Sequence, residues 1–287
     1  MKARPAFISH LQSLLAGAPI RNITRIFGGH INHAYKLTTD NASFFVKVNS
    51  SQDLPDMFAD EAKGLQLLAD THTVSIPGQI AHGHFEDLTF LLMEWIEPGS
   101  GSPALHLLLG RQLAAMHRHT NPSFGLEWDH HSLLTQSNKP HQHWSDFFIH
   151  ERLRPTLTLA IKKGYLTIAD QNNFEKLYSR IPQIFPQEPP ALLHGDLWKA
   201  NCIFGADGQS YLVDATPYYG HREMDIAMTS FVDSFDDAFY AAYNEAYPLE
   251  KDWEQRIDLC HLYPLLILTT LGPDYRDRLR TALKKYI

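Results

Sequence analysis

The stretch His194-Gly195-Asp196-Leu197-Trp198-Lys199-Ala200-Asn201, followed by Asp214 behind the short apolar run Tyr211-Leu212-Val213, constrains this chain more than any other feature. It sets an Asp, an Asn five residues later and a second Asp eighteen residues after the first. His-Gly-Asp alone is a common turn, because Gly and Asp favour tight loops. The full set asks for more: one loop must hold a carboxylate and an amide at fixed separation, and a strand must deliver a second carboxylate at its end.

Phosphoryl transfer from a nucleotide uses such a set. One carboxylate orients the attacking hydroxyl, while an amide and a second carboxylate hold the metal that neutralises the phosphates. The protein-kinase catalytic loop, H-R-D-x-x-x-x-N, has the same Asp-to-Asn spacing, and its metal-binding Asp also lies downstream. Here Gly195 replaces the Arg, as in kinase-like enzymes of small molecules. Asp196 is the candidate catalytic base, and Asn201 and Asp214 are candidate ligands for Mg²⁺, a hard ion that prefers oxygen. The expectation is an ATP-dependent kinase of a small hydroxylated substrate.

The upstream sequence fits that expectation. Asn22 to Ile26, Ala34 to Thr38 and Ser43 to Val48 read as strands, and Pro55 to Ala69 as a helix with Phe58, Ala62, Leu65 and Leu68 on one stripe. Lys47 alternates with Phe44, Val46 and Val48, which leaves it either on a solvated face or aimed at nucleotide phosphates. A Lys–Glu ion pair is a required part of kinase machinery. Glu61 shares the inner helix face with Phe58 and Leu65, whereas Asp60 is rotated away, so Glu61 is the expected partner. Gly28 and Gly29 form a candidate phosphate-covering loop, since glycine lets backbone N–H groups approach phosphate closely. Met93 to Ile96 ends an apolar strand, and the backbone groups of Glu94 and Ile96 are placed to meet an adenine edge. The Gly/Pro/Ser run Pro98 to Pro103 is the best boundary signal, with helical patterns beyond it at 104–119, 144–163, 168–181, 235–247 and 253–271. The expected class is α+β, a protein-kinase-like bilobal fold: a small β-rich N-lobe (1–96) that binds nucleotide, and a larger, mostly helical C-lobe (97–287) with the catalytic loop and acceptor site.

Composition removes other classes. At 287 residues, with 44% hydrophobic residues and a net charge of −7, the chain has a globular make-up, and it lacks the dense Lys/Arg runs that nucleic-acid binding would use. Two cysteines, Cys202 and Cys260, suit a reducing cytosol rather than a disulfide framework. His10, Gln12 and Ser13 interrupt any signal-peptide core, and Leu262 to Leu271 is too short to span a bilayer, so no membrane role and a cytoplasmic location are expected. The close histidine pairs at 117/119, 130/131 and 141/143 lack Cys or carboxylates at zinc-site spacing. Asp225 reads as a structural residue that caps or bonds the catalytic-loop backbone, and His194 as an organiser of that loop. Trp198 either stacks on the acceptor or packs.

Ala191-Leu192-Leu193-His194-Gly195-Asp196-Leu197-Trp198-x-x-Asn201, then Asp214, then Tyr219-Gly220-His221-Arg222-Glu223, resembles the fructosamine kinase (ketosamine-3-kinase) family. Phe45 to Asn49, Met57 to Leu65, Met93-Glu94 and His117 before Phe124-Gly125 agree over nearly the whole chain. The resemblance implies ATP-dependent, Mg²⁺-assisted phosphorylation of the 3-hydroxyl of a sugar attached to an amine by glycation, either a small ketosamine or a glycated protein. By that resemblance Asp196 is the base, Asn201 and Asp214 hold the metal, Lys47 and Glu61 position phosphates, and Trp198 and His221 lie near the acceptor. An acceptor of another kind, such as choline or an aminoglycoside, is the alternative within the same fold; a non-catalytic ATP-binding protein is the alternative of a different functional class. Three departures stand out: Ala215-Thr216 where Pro-Ala is usual, His30 where a third loop glycine is common, and Leu266-Ile267-Leu268 where Leu-Asn-His is typical. Without a cysteine in the phosphate loop, the disulfide-linked dimer of some relatives is not expected, and a monomer is.

Overall fold

The computed structural model describes residues 4–27, 32–52, 54–131 and 134–287. In chain order it runs α1 (Pro5–Leu14), β1 (Asn22–Ile26), β2 (His33–Thr38), β3 (Ser43–Ser50), α2 (Met57–Ala69), β4 (Gln79–Phe85), β5 (Leu88–Glu94) and α3 (Pro103–Met116). Two-residue strands β6 (His130–His131) and β7 (Thr135–Gln136) precede α4 (Trp144–Phe147), a π-helical turn at Phe148–Leu153, α5 (Arg154–Lys162), α6 (Ile168–Tyr178) and α7 (Ile181–Ile184). There follow β8 (Ala191–Leu193), β9 (Cys202–Phe204), β10 (Ser210–Leu212), β11 (Tyr218–Gly220), α8 (Glu223–Met228), α9 (Asp237–Ala246), α10 (Ile257–Leu271) and α11 (Arg276–Leu283). The chain divides into two compact units, and it passes between them more than once. The first holds residues up to Ser100, His130–Thr135 and Ile203–Asp214; the second holds Gly101–Asp129, Gln136–Cys202 and Ala215–Ile287.

The first unit is built on an antiparallel five-stranded sheet in the order β1-β2-β3-β5-β4. One face carries Tyr35, Leu37, Val46, Val48, Phe90 and Leu92, and α1 covers it with Phe7 and Leu11, one helical turn apart and both fully buried. Pro5 opens that helix, where a missing N–H costs nothing. Helix α2 supports Lys47 from the opposite side of β3 and buries Phe58, Leu65 and Leu68 completely. Both faces of β3 are therefore covered, and Lys47 is 6% exposed rather than solvated. The β9–β10 hairpin is stitched into this unit through Gly99 N–H to Phe204 O (2.7 Å), Ala206 N–H to Glu97 O (2.8 Å) and Leu212 N–H to Ser75 O (2.9 Å).

The second unit is helical around one apolar core, with the short antiparallel pair β8–β11 inside it. Helices α3 and α9 cross so closely at Gly110 that a Cβ there would lie 2.3 Å from Phe239 O, which only glycine allows. Thr167 and Asp170 form a capping box on α6, and Arg280 of α11 grips the same Asp170 carboxylate at 2.7 Å. The helix expected over 144–163 forms as α4, the π turn and α5. Pro155, in the first turn of α5, has no N–H to give residue 151, which interrupts the α ladder at that point.

Candidate active site

The loop after β8 is held from several sides. Asp225, 1% exposed, accepts the backbone N–H of His194 at 2.6 Å and of Gly195 at 3.0 Å. The His194 ring accepts Asp196 N–H at 3.2 Å, so it organises the loop from within. Gly195 has φ +85°, and a Cβ on it would sit 2.1 Å from Thr216 O; Thr216 N–H in turn donates to His194 O at 3.0 Å. Asn201 closes the loop by donating Nδ2 to Asp196 O (2.9 Å) and to Asp196 Oδ2 (3.0 Å). Its Oδ1 accepts no hydrogen bond among the described residues. Burial pushes the Asp196 carboxyl up to about 6; the Asn201 bond opposes this, the nearby Asp225 charge adds to it, and the neighbouring Trp198 side chain pulls it back down. A carboxylate in that range accepts a proton far more readily at neutral pH than an ordinary aspartate.

In the first unit, Lys47 Nζ donates to Glu61 Oε1 at 2.6 Å, and both side chains are buried. Lys47 also pairs with Asp214. Asp214, two residues past β10, has φ +57°, a conformation that non-glycine residues adopt at a cost, and its carboxylate is half exposed. Asp60 points elsewhere: it accepts the backbone N–H (2.9 Å) and ring Nδ1 (2.7 Å) of His131 in β6. At the end of β5, Glu94 N–H donates to Gly78 O (2.8 Å) and Trp95 N–H to Ser43 O (3.3 Å), whereas Ile96 N–H has no partner among the described residues. Gly28 and Gly29, and the departure at His30, lie outside the described residues.

His221 is a correction to the sequence reading. It is fully buried, its ring packs against Phe185 (4.9 Å between centroids), Nε2 donates to Pro186 O at 3.3 Å and Nδ1 accepts Glu223 N–H at 3.4 Å. Burial also lowers its pKa, which keeps it neutral. No free atom of this ring is left for an acceptor to touch. The neighbouring residues do structural work: Arg222 is bidentate to Glu188 (2.8 and 2.7 Å) and Arg256 to Glu223 (2.7 and 2.6 Å). Trp198, by contrast, is partly exposed beside Asp196. Sequence reasoning missed Tyr243, whose hydroxyl lies 2.7 Å from His117 Nδ1, while His117 Nε2 lies 3.2 Å from Asp225 Oδ2. No local pattern announces a pair 126 residues apart. Among the described residues no group of three or more His, Cys, Asp or Glu converges as a metal site.

Comparison with known proteins agrees with this geometry. The family model described as "Fructosamine kinase" matches residues 5–287. A ketoamine kinase candidate of Enterococcus faecium is 31% identical over 281 residues, covering 96% of this chain and 99% of its own. The chloroplastic protein-ribulosamine 3-kinase of Arabidopsis thaliana is 34% identical over 275 residues, covering 93% of this chain and 83% of its own. Among solved structures, a fructosamine-3-kinase candidate from Thermobifida fusca superposes with a TM-score of 0.86 at 30% identity, over 99% of both chains.

Proposed function

The chain belongs to the fructosamine kinase family and is a phosphotransferase, and on that premise we propose how its residues act on ATP and a ketosamine. The acceptor is a sugar attached to an amine through glycation, phosphorylated at its 3-hydroxyl. Asp196 takes the hydroxyl proton as the oxygen bonds to the γ-phosphorus, and the bond to ADP breaks in the same exchange. The observation that carries this reading is the loop itself: a carboxylate with its pKa raised to about 6, held by Asn201 and by two backbone N–H groups fixed to Asp225.

The nucleotide is assigned to groups of residues 1–96. Lys47, aimed by Glu61, meets the α and β phosphates, and the unpaired Ile96 N–H with the Glu94 carbonyl meets the adenine edge. Gly28 and Gly29 cover the phosphates. The free Oδ1 of Asn201 and the half-exposed Asp214 carboxylate are hard oxygen donors, and they fit Mg²⁺, which neutralises phosphate charge when bound. The acceptor falls to residues 97–287, with Trp198 stacking on the sugar. Among the described residues no helix is long and apolar enough to cross a membrane. We take the enzyme to be cytoplasmic and monomeric, with no nucleic-acid partner; its two buried free cysteines and net charge of −7 suit this.

The test is ADP release with Mg·ATP and fructosyl-lysine, ribulosyl-lysine, choline, kanamycin or no acceptor. Turnover confined to the two ketosamines is expected. Turnover only with choline or kanamycin would refute the substrate class while keeping the chemistry.

A further inference from the structure

Asp225 holds the catalytic loop, and a line of buried groups holds Asp225. His117, Tyr243 and Asp225 are each at most 1% exposed. Asp225 receives His194 N–H and Gly195 N–H, and its Oδ2 lies 3.2 Å from His117 Nε2. The other ring nitrogen of His117 lies 2.7 Å from the Tyr243 hydroxyl. The α3–α9 crossing at Gly110 brings the C-cap of α3, His117, against α9.

The heavy-atom distances leave the ring proton undecided, since a neutral imidazole carries one N–H on either nitrogen. Asp225 decides it. Its oxygens already accept the backbone N–H groups of His194 and Gly195, and a carboxylate offers lone pairs and no donor. The nitrogen facing that carboxylate at 3.2 Å, Nε2, therefore carries the ring proton. Tyr243, whose hydroxyl lies 2.7 Å from Nδ1, turns its O–H toward that nitrogen, and burial keeps the phenol protonated. Nδ1 is then the acceptor, the ring proton sits on Nε2, and Nε2–H donates to Asp225. The opposite tautomer would set a ring lone pair against a buried carboxylate and cost the hydrogen bond as well.

We propose that Tyr243 is a positioning residue for Asp196: it fixes His117 in the Nε2–H form, which completes the donor set of Asp225 and so the placement of the catalytic loop. The claim about turnover rests on Asp196 being the base; the claim about proton placement does not. Polarity runs one way, from the Tyr243 hydroxyl through His117 to Asp225, and reaches Asp196 without touching substrate.

The direct test is long-range ¹H–¹⁵N correlation of ¹⁵N-histidine-labelled protein, with the His117 signals assigned by their loss in His117→Gln. The wild type should show the proton on Nε2, and a proton on Nδ1 would overturn the proposal with no variant involved. Tyr243→Phe should change that signature and lower kcat about tenfold, with KM for ATP changed less than about twofold, because the loop moves while the nucleotide groups do not. His117→Gln, which keeps an N–H donor for Asp225, should retain most of the turnover, whereas His117→Leu should lose about 100-fold. A Tyr243→Phe enzyme with unchanged kcat would also overturn it. A wild type inactive on every ketosamine would sink the substrate reading instead, and the tautomer result would still decide the proton placement.

Discussion

Gly195→Ala is the most informative single substitution, because two separate penalties act there and one of them can be measured elsewhere. Gly195 has φ +85°, and its added Cβ would lie 2.1 Å from Thr216 O and 2.8 Å from Thr216 C, both backbone atoms that cannot rotate away. Gly164, just past α5 in the same unit, has φ +78° with nothing within 4 Å of an added Cβ. Gly164→Ala therefore isolates the left-handed backbone cost, about 1–2 kcal/mol, less the few tenths that alanine returns by restricting the unfolded chain. Gly195→Ala carries the same cost and must also open a backbone contact by more than ~1 Å, for which overpacking adds about 1–3 kcal/mol. At about 2–4 °C per kcal/mol, Gly164→Ala should lower Tm by ~1–7 °C and Gly195→Ala by ~3–19 °C. The forced shift falls on the peptide joining His194 to Asp196, so kcat should drop about 100-fold in the second variant and stay unchanged in the first. Paired thermal unfolding and steady-state ADP release measure both. Equal Tm losses in the two variants, or full turnover in Gly195→Ala, would refute the argument that Thr216 and Gly195 are locked together.

Glu61→Gln should cut kcat/KM for ATP by about 100-fold by releasing Lys47, whereas Asp60→Asn, which loosens only the tie to His131, should leave it within about twofold; an effect of equal size from Asp60→Asn would reverse the assignment made from helix geometry. Asp196 works as a base only when ionised, so log kcat should climb as pH rises through about 6 and level off above it; a profile flat down to pH 5 would show that the base is another group. Because its folded pKa is raised, Asp196 favours the fold below the ordinary carboxylate range and loses that contribution as pH rises through about 6, so Asp196→Asn should raise Tm at pH 8 while abolishing turnover. Asp170 has the opposite sign: the Arg280 hydrogen bonds hold its carboxyl down to about 2. Its contribution is present above the ordinary carboxylate range and is lost as pH falls toward 2, and Arg280→Ala should lower Tm at pH 7 and erase that part of the acid dependence.

Where the sequence was legible, a short-range rule governed the outcome. The choice of Glu61 over Asp60 followed from helical spacing, and the 2.6 Å bond to Lys47 uses the face that the spacing named. Asp225 was expected to bond the catalytic-loop backbone, and it accepts two N–H groups there. Helix α1 went unread, because its buried Phe7 and Leu11 have meaning only once β2, β3 and β5 present an apolar face to cover. His221 was misplaced for a related reason. A motif that sets a family apart invites a ligand role, yet burial against Phe185 and two occupied ring nitrogens are properties of the packing. Likewise, no window of sequence shows that 130–135 and 203–214 rejoin the first unit, since hydrogen bonds such as Leu212 N–H to Ser75 O decide it.

The Ala215-Thr216 departure shows how a position can drift while the loop beside it holds. Thr216 meets the catalytic loop through its backbone: its N–H donates to His194 O at 3.0 Å, and its carbonyl oxygen fills the space that a Gly195 Cβ would need. Its hydroxyl is buried and has no hydrogen-bond partner in the described structure. A buried unpaired hydroxyl costs about 1–3 kcal/mol, so Thr216→Ala, the residue usual in the family, should raise Tm by a few degrees and leave kcat unchanged. A fall in kcat on removing this hydroxyl would mean that it serves the reaction after all, and that the drift from alanine altered the chemistry rather than the packing.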